Sequence, residues 1–138
     1  MVYFREFNNF KEMLASLDED IIEIKRVLGE LLRRMESLKA KIESEKALKD
    51  VLSKIGVSQS QQQISNVVNL KKVKITIMPT TEQELISLES FVEYLTSRMI
   101  LLENIKKELS LFSLANIEAK IEVIYVDGLP KEIYIKQS

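Results

Sequence analysis

The stretch FNNFKEMLASLDEDIIEIKRVLGELLRRMESLKAKIESEKALKDVLSKI, running from Phe7 to Ile55, decides the fold. With Phe7 as position a of a heptad, the a and d positions are Phe7, Phe10, Leu14, Leu17, Ile21, Ile24, Leu28, Leu31, Met35, Leu38 and Ile42. An apolar seam this long, without a polar interruption, is the signature of a long helix of coiled-coil type. The rhythm breaks when Glu45 and Lys49 fall on the seam, and it resumes at Leu48, Leu52 and Ile55. Such an offset reads as a stutter or as a change of partner. Gly56 stands where a left-handed C-terminal cap belongs.

Two capping boxes compete for the start, Asn9 with Glu12 and Ser16 with Glu19. The residues Met1–Asn8 read equally as strand, helix or disordered extension. A helix from Asn9 to Ile55 is about 70 Å long, and its apolar stripe requires a partner. The seam is therefore assigned as an oligomer interface. In a parallel dimer the facing g and e residues include Arg34 with Lys39 and Lys41 with Lys46, which repel, and only Asp20 with Lys25, which attract. Val27 and Leu32 widen the apolar stripe. An antiparallel or multi-helix arrangement fits these residues better.

Outward from this helix, residues 56–70 form a polar, periodicity-poor linker, and residues 71–138 a β-α-β-β module. Lys72–Ile77 alternates as a strand with Val73, Ile75 and Ile77 inward. Pro79 ends it, and Thr80 and Thr81 precede Gln83 and Glu84 at capping-box spacing. A second helix follows to about Phe112. Its main stripe is Leu85, Leu88, Val92, Leu95, Met99, Leu102 and Leu109. A second stripe, Phe91, Tyr94, Leu101, Ile105 and Phe112, makes it apolar on two sides, so it is to be covered twice and is assigned to helix–helix contact. After a turn at Ser113–Asn116, Ile117–Val126 carries Ala119, Ile121, Val123 and Tyr125 inward. The sequence Asp127-Gly128-Leu129-Pro130 turns the chain, and Lys131–Lys136 returns with Ile133 and Ile135 inward. A right-handed crossover would leave the first two strands parallel, with the last between them. The expected class is α+β, mainly α: a long N-terminal coiled-coil-type helix (1–55) followed by a β-α-β-β module with a three-stranded sheet.

A helix of about thirty residues is longer than strands of about seven, so the second helix overhangs its sheet and offers surface to the first. Lys39, Lys41, Lys46, Lys49 and Lys54 load the end of helix one, and Glu82, Glu84, Glu89 and Glu93 the start of helix two. An antiparallel pair brings these ends together, although each cluster also complements its own helix dipole.

Chemistry is sparse. The chain of 138 residues has neither cysteine nor histidine, which removes thiolate chemistry, the usual zinc ligands and the commonest general base. Neither a P-loop nor a GxGxxG pattern occurs. The acidic run Asp18-Glu19-Asp20 lies on outer helix positions and reads as solvated. No cofactor, metal or catalysis is expected. Twenty basic and twenty-one acidic residues nearly cancel, so no broad basic field exists to draw in phosphates. Lys72, Lys74, Lys120 and Lys136 nevertheless form a possible nucleic-acid face, diluted by Glu118, Glu122 and Glu132. The start of the chain lacks a basic segment followed by an apolar run, and no window has the apolar length of a membrane span. A soluble, cytoplasmic protein without a membrane partner is expected. Abundant Lys, Glu and Ile with few Gly and Pro gives a thermophile-like composition.

These features indicate a non-catalytic oligomerisation or scaffold protein that self-assembles, as a dimer or higher homo-oligomer, or binds a helical protein partner. A nucleic-acid-associated accessory protein is the alternative. A third possibility is a holdase with Phe4, Phe7, Phe10 and Met13 as an apolar tip.

Overall fold

The structure, a computed structural model, describes residues 3–56, 66–113 and 118–137. Its elements in order are β1 (Phe4–Phe7), α1 (Phe10–Lys54), β2 (Val67–Asn69), β3 (Lys74–Thr76), α2 (Thr81–Ser113), β4 (Lys120–Val126) and β5 (Leu129–Lys136). Most of the expected linker (57–65) and the turn expected after α2 (114–117) lie outside the described residues. The chain divides into two compact units, Met1–Leu28 with Tyr94–Ser138, and Gly29–Glu93. Both α1 and α2 contribute a segment to each.

In the first unit, Asn9 caps α1: its Oδ1 accepts from the Glu12 amide at 2.9 Å, while Glu12 Oε2 accepts from the Asn8 amide at 3.0 Å. Of the two competing starts, the earlier one forms. Ser16, the other candidate, is a buried mid-helix residue. Three antiparallel strands in the order β1-β4-β5 pack against this helix. The core joins Phe10 and Met13 of α1 to Ile121, Val123 and Tyr125 of β4, with Phe7, Leu14, Leu109 and Ile133 around them. A second cluster holds Leu17 and Ile21 against Leu102 of α2. Each such fully buried aliphatic side chain contributes about 1.5–3 kcal/mol. The helix segments run antiparallel, since Asp18 pairs with Lys106 and Lys25 with Glu103 at 3.6 Å.

The three-stranded sheet is present, with a membership different from that expected. Its third strand is Phe4–Phe7, pairing Phe4 with Ile124 and Phe7 with Ile121, and not the 72–77 stretch. Among the described residues no parallel crossover forms, because β3 pairs with β2 in a separate two-stranded sheet. The expected inward set is present, with Ala119 just before β4 and Ile121, Val123 and Tyr125 within it all buried. Asp127 and Gly128 both have positive φ, 53° and 76°, which gives the two-residue primed turn that suits strand twist. Pro130 sits opposite Tyr125 at a bulge on the edge strand, where its missing N–H costs no ladder bond.

In the second unit, α1 from Gly29 onward and the first turns of α2 are again antiparallel. Arg34 lies 3.9 Å from Glu84, and Thr81 Oγ1 donates to Glu45 Oε1 at 3.4 Å. Met35 and Leu38 are buried. Gly56, with φ of 80°, follows the last turn of α1 and donates to the Ser53 carbonyl. Thr80 and Gln83 form the expected capping box, Gln83 N to Thr80 Oγ1 at 3.1 Å and Thr80 N to Gln83 Oε1 at 2.9 Å. The strand β2 occupies the last part of the stretch read as linker.

Candidate interaction surfaces

The first part of the a/d seam of α1, from Phe7 to Ile24, packs within the chain. Phe10, Leu17, Ile21, Met35 and Leu38 are buried, and Phe7, Leu14, Ile24, Leu28, Leu31 and Ile42 are half-buried. In the first unit the partner is α2 together with the sheet. A heptad seam announces that a partner exists without specifying which chain supplies it, and Phe10, Leu17 and Ile21 lie against residues of their own chain. Met13, a g position outside the seam, is among the most buried side chains because the sheet widens the covered arc.

The two stripes of α2 have opposite fates. In the first unit Leu95 and Leu102 of the main stripe are buried and Met99 and Leu109 half-buried. Of the second stripe, Tyr94 is 55%, Leu101 48% and Phe112 56% exposed, with Ile105 half-buried. Phe91, which belongs to the second unit, is exposed as well. Phe112 stacks on Phe10 at 6.3 Å between ring centroids, so its inner face seals the core while its outer face stays open. Arg98 lies over the Tyr94 ring at 5.7 Å and donates to its hydroxyl at 2.9 Å. On another flank of the helix pair, a groove of about 320 Å³ between Ile21, Ile22, Lys25 and Lys106 carries the ion pairs.

Polar groups converge in the first unit at one place. Arg5, on the inner face of β1, donates to Ser16 Oγ at 2.8 Å and lies 5.7 Å from the Phe7 ring. Burial pushes the Asp20 carboxyl above its ordinary range; Arg5 opposes this and Glu19 adds to it. Burial likewise raises the Tyr125 phenol, again against Arg5. The cluster satisfies an arginine placed between sheet and helix, and it fastens β1 to α1.

In the second unit the β2–β3 hairpin has an inverted polarity. Val67, Lys74 and Thr76 line a groove of about 470 Å³ with Arg34, Pro79, Gln83 and Leu88, which places that face of the hairpin toward the helices. The opposite face carries Val68 opposite Ile75, flanked by Leu70, Val73 and Ile77, all exposed. Val73, Ile75 and Ile77 were expected inward, and the structure turns them out. The alternation was legible, but with two strands the face that meets the helices is set by the attachment at the base, not by hydrophobicity.

Lys72, Lys74, Lys120 and Lys136 do not share one sheet. Lys72 and Lys74 belong to the β2–β3 hairpin, whereas Lys120 and Lys136 pair across β4 and β5. Lys136 bonds Glu122 at 2.6 Å and holds its carboxyl below the ordinary range. Tyr134 donates to Glu132 at 3.0 Å on the same outer face. Among the described residues no group of acidic side chains is placed to hold a metal ion, and no helix is long and apolar enough to cross a membrane. Comparison with protein-family models, curated proteins and solved structures returns no match.

Proposed function

We propose that the chain is a non-catalytic scaffold or oligomerisation protein that joins a second copy or a helical partner through helical apolar surface. The observation that carries this reading is the second stripe of α2. A 33-residue helix with two apolar sides needs two covers, and among the described residues Tyr94, Leu101 and Phe112 of the second side stay about half exposed. Tyr94, Leu101 and Phe112 recur along one line of the helix, which is the spacing a partner helix reads. Leu101 is the residue best suited to a test, because it belongs to neither core cluster and a charge there leaves the interior intact. Light scattering on the native chain at micromolar concentration gives a mass above that of the monomer, or a mixture with a captured helical partner. Leu101→Lys lowers that mass or abolishes capture while preserving the far-ultraviolet dichroism. A well-folded native monomer that captures nothing overturns the proposal.

A further inference from the structure

We infer that the outward face of the β2–β3 hairpin is a second, independent interface, and that its occupant is the same hairpin of another copy, stacked face to face. Val68, Leu70, Val73, Ile75 and Ile77 are 44–60% exposed on one face of a two-stranded sheet. An isolated hairpin is marginal in water, and a sheet ordinarily turns its apolar face inward. Here the apolar face turns out. Its area is on the order of 400 Å², the size of the largest patch on a monomeric protein, which is often functional.

The chemistry of the face selects its occupant. It carries aliphatic groups only, with no aromatic ring on which a base could stack and no charge to recognise an acidic segment; Lys74 lies on the other face, along the groove. A flat aliphatic surface fits another flat aliphatic surface, as in packed sheets about 10 Å apart. Two copies bury about 800 Å², at the small end of specific interfaces, so the contact is a weak one. Charge sets its orientation. The turn carries Lys71 and Lys72, and the base leads through Pro79 into the acidic first turn of α2, with the exposed Glu82. A two-fold that places each turn over the other copy's base separates the lysines from their like and sets them toward carboxylates.

The lack of native cysteine permits a direct test on the full chain. Ile75→Cys, on the outer face, is treated with a short bismaleimide beside Thr76→Cys, on the inner face. The expected result is covalent dimer from Ile75→Cys at several times the rate seen with Thr76→Cys. Equal rates, or no dimer from either, overturn the inference. In parallel, Val73→Thr with Ile75→Thr keeps strand propensity and removes the aliphatic face. Sedimentation velocity then shows self-association weakened about tenfold. Association unchanged in a folded double variant overturns the inference, as does sedimentation of the native chain with phosphatidylglycerol vesicles, dependent on Val73 and Ile75, in place of cross-linking; that result assigns the face to a lipid surface. If the double variant does not fold, the cross-linking comparison decides alone. Leu101→Lys separates this inference from the proposed function: loss of association there with cross-linking at Ile75 intact supports both interfaces, and loss confined to either variant removes the other.

Discussion

Asn66 and Gln83 exchange two amide hydrogen bonds, Asn66 Nδ2 to Gln83 Oε1 at 2.8 Å and Gln83 Nε2 to Asn66 Oδ1 at 3.0 Å. Gln83 Oε1 also accepts from the Thr80 amide, so one side chain both caps α2 and clamps the base of the hairpin. Met78 sits in the left-handed region at φ 51° between them, and its carbonyl accepts from Asn66 Nδ2 at 3.3 Å. The hairpin is therefore held by its base, with polar bonds in place of a core.

Gln83→Ala removes the clamp and half of the capping box together. The expected cost is about 1–2 kcal/mol by urea denaturation. Gln83→Glu keeps the acceptor toward Thr80 but loses the donor to Asn66, so its cost is smaller. Hydrogen exchange of the Ile77 amide, which donates to the Asn66 carbonyl, accelerates in both variants. Protection unchanged in Gln83→Ala would mean that something other than this amide pair orders the hairpin.

A substitution at Gly128 tests the β4–β5 turn. A Cβ there would stand 2.8 Å from Arg98 Nη2 on a backbone with φ of 76°. Gly128→Ala is expected to cost about 1–2 kcal/mol from backbone strain alone. The guanidinium ends a flexible chain and can withdraw, giving up its bond to Tyr94. In an Arg98→Ala background that part of the penalty disappears, and the double-mutant cycle gives a coupling of about 0.5 kcal/mol. Strict additivity would show that Arg98 does not report on the turn.

The parts of this fold that were legible in sequence are the local ones. The Asn9 and Thr80 caps, the Gly56 stop, the Asp127-Gly128 turn and the inward set of β4 each depend on residues a few positions apart, where side-chain chemistry acts directly on the neighbouring backbone. β1 was not legible, because Phe4–Phe7 is too short for a period to declare itself and its partner Ile121–Ile124 lies more than a hundred residues away. The heptad seam of α1 announces a stripe that packs on something, without specifying which chain supplies the partner. Periodicity records that Leu17 is covered, and says nothing about whether Leu102 of the same chain covers it.

Asp20 gives the pH dependence a definite sign. Its carboxyl is raised, chiefly by burial, so the folded chain holds that proton more tightly than the unfolded chain. Its contribution to stability is fully present below the ordinary carboxylate range and is lost as pH rises through the raised value. Asp20→Asn removes this dependence, and the variant gains on the native protein as pH rises through that window, while the two agree at lower pH. Urea titrations at a series of pH values measure the difference. Arg5→Met acts in the opposite direction, deepening the loss at neutral pH by removing the cation that opposes the shift and the donor to Ser16.

Leu101 and Leu102 are adjacent in α2 and separate the two roles of that helix. Leu102 is 2% exposed and packs with Leu17 and Ile21, whereas Leu101 is 48% exposed on the second stripe. Leu102→Ala leaves a cavity in the core and is expected to cost about 3 kcal/mol, with the assembled mass unchanged under conditions where the variant stays folded. Leu101→Ala costs less than about 0.5 kcal/mol in the isolated chain, as exposed substitutions do, and weakens association. Chemical denaturation and light scattering on the same two samples make the comparison. If Leu101→Ala destabilises as much as Leu102→Ala and leaves the mass unaltered, the second stripe belongs to the fold of the single chain, and the surface on which it assembles must be sought elsewhere.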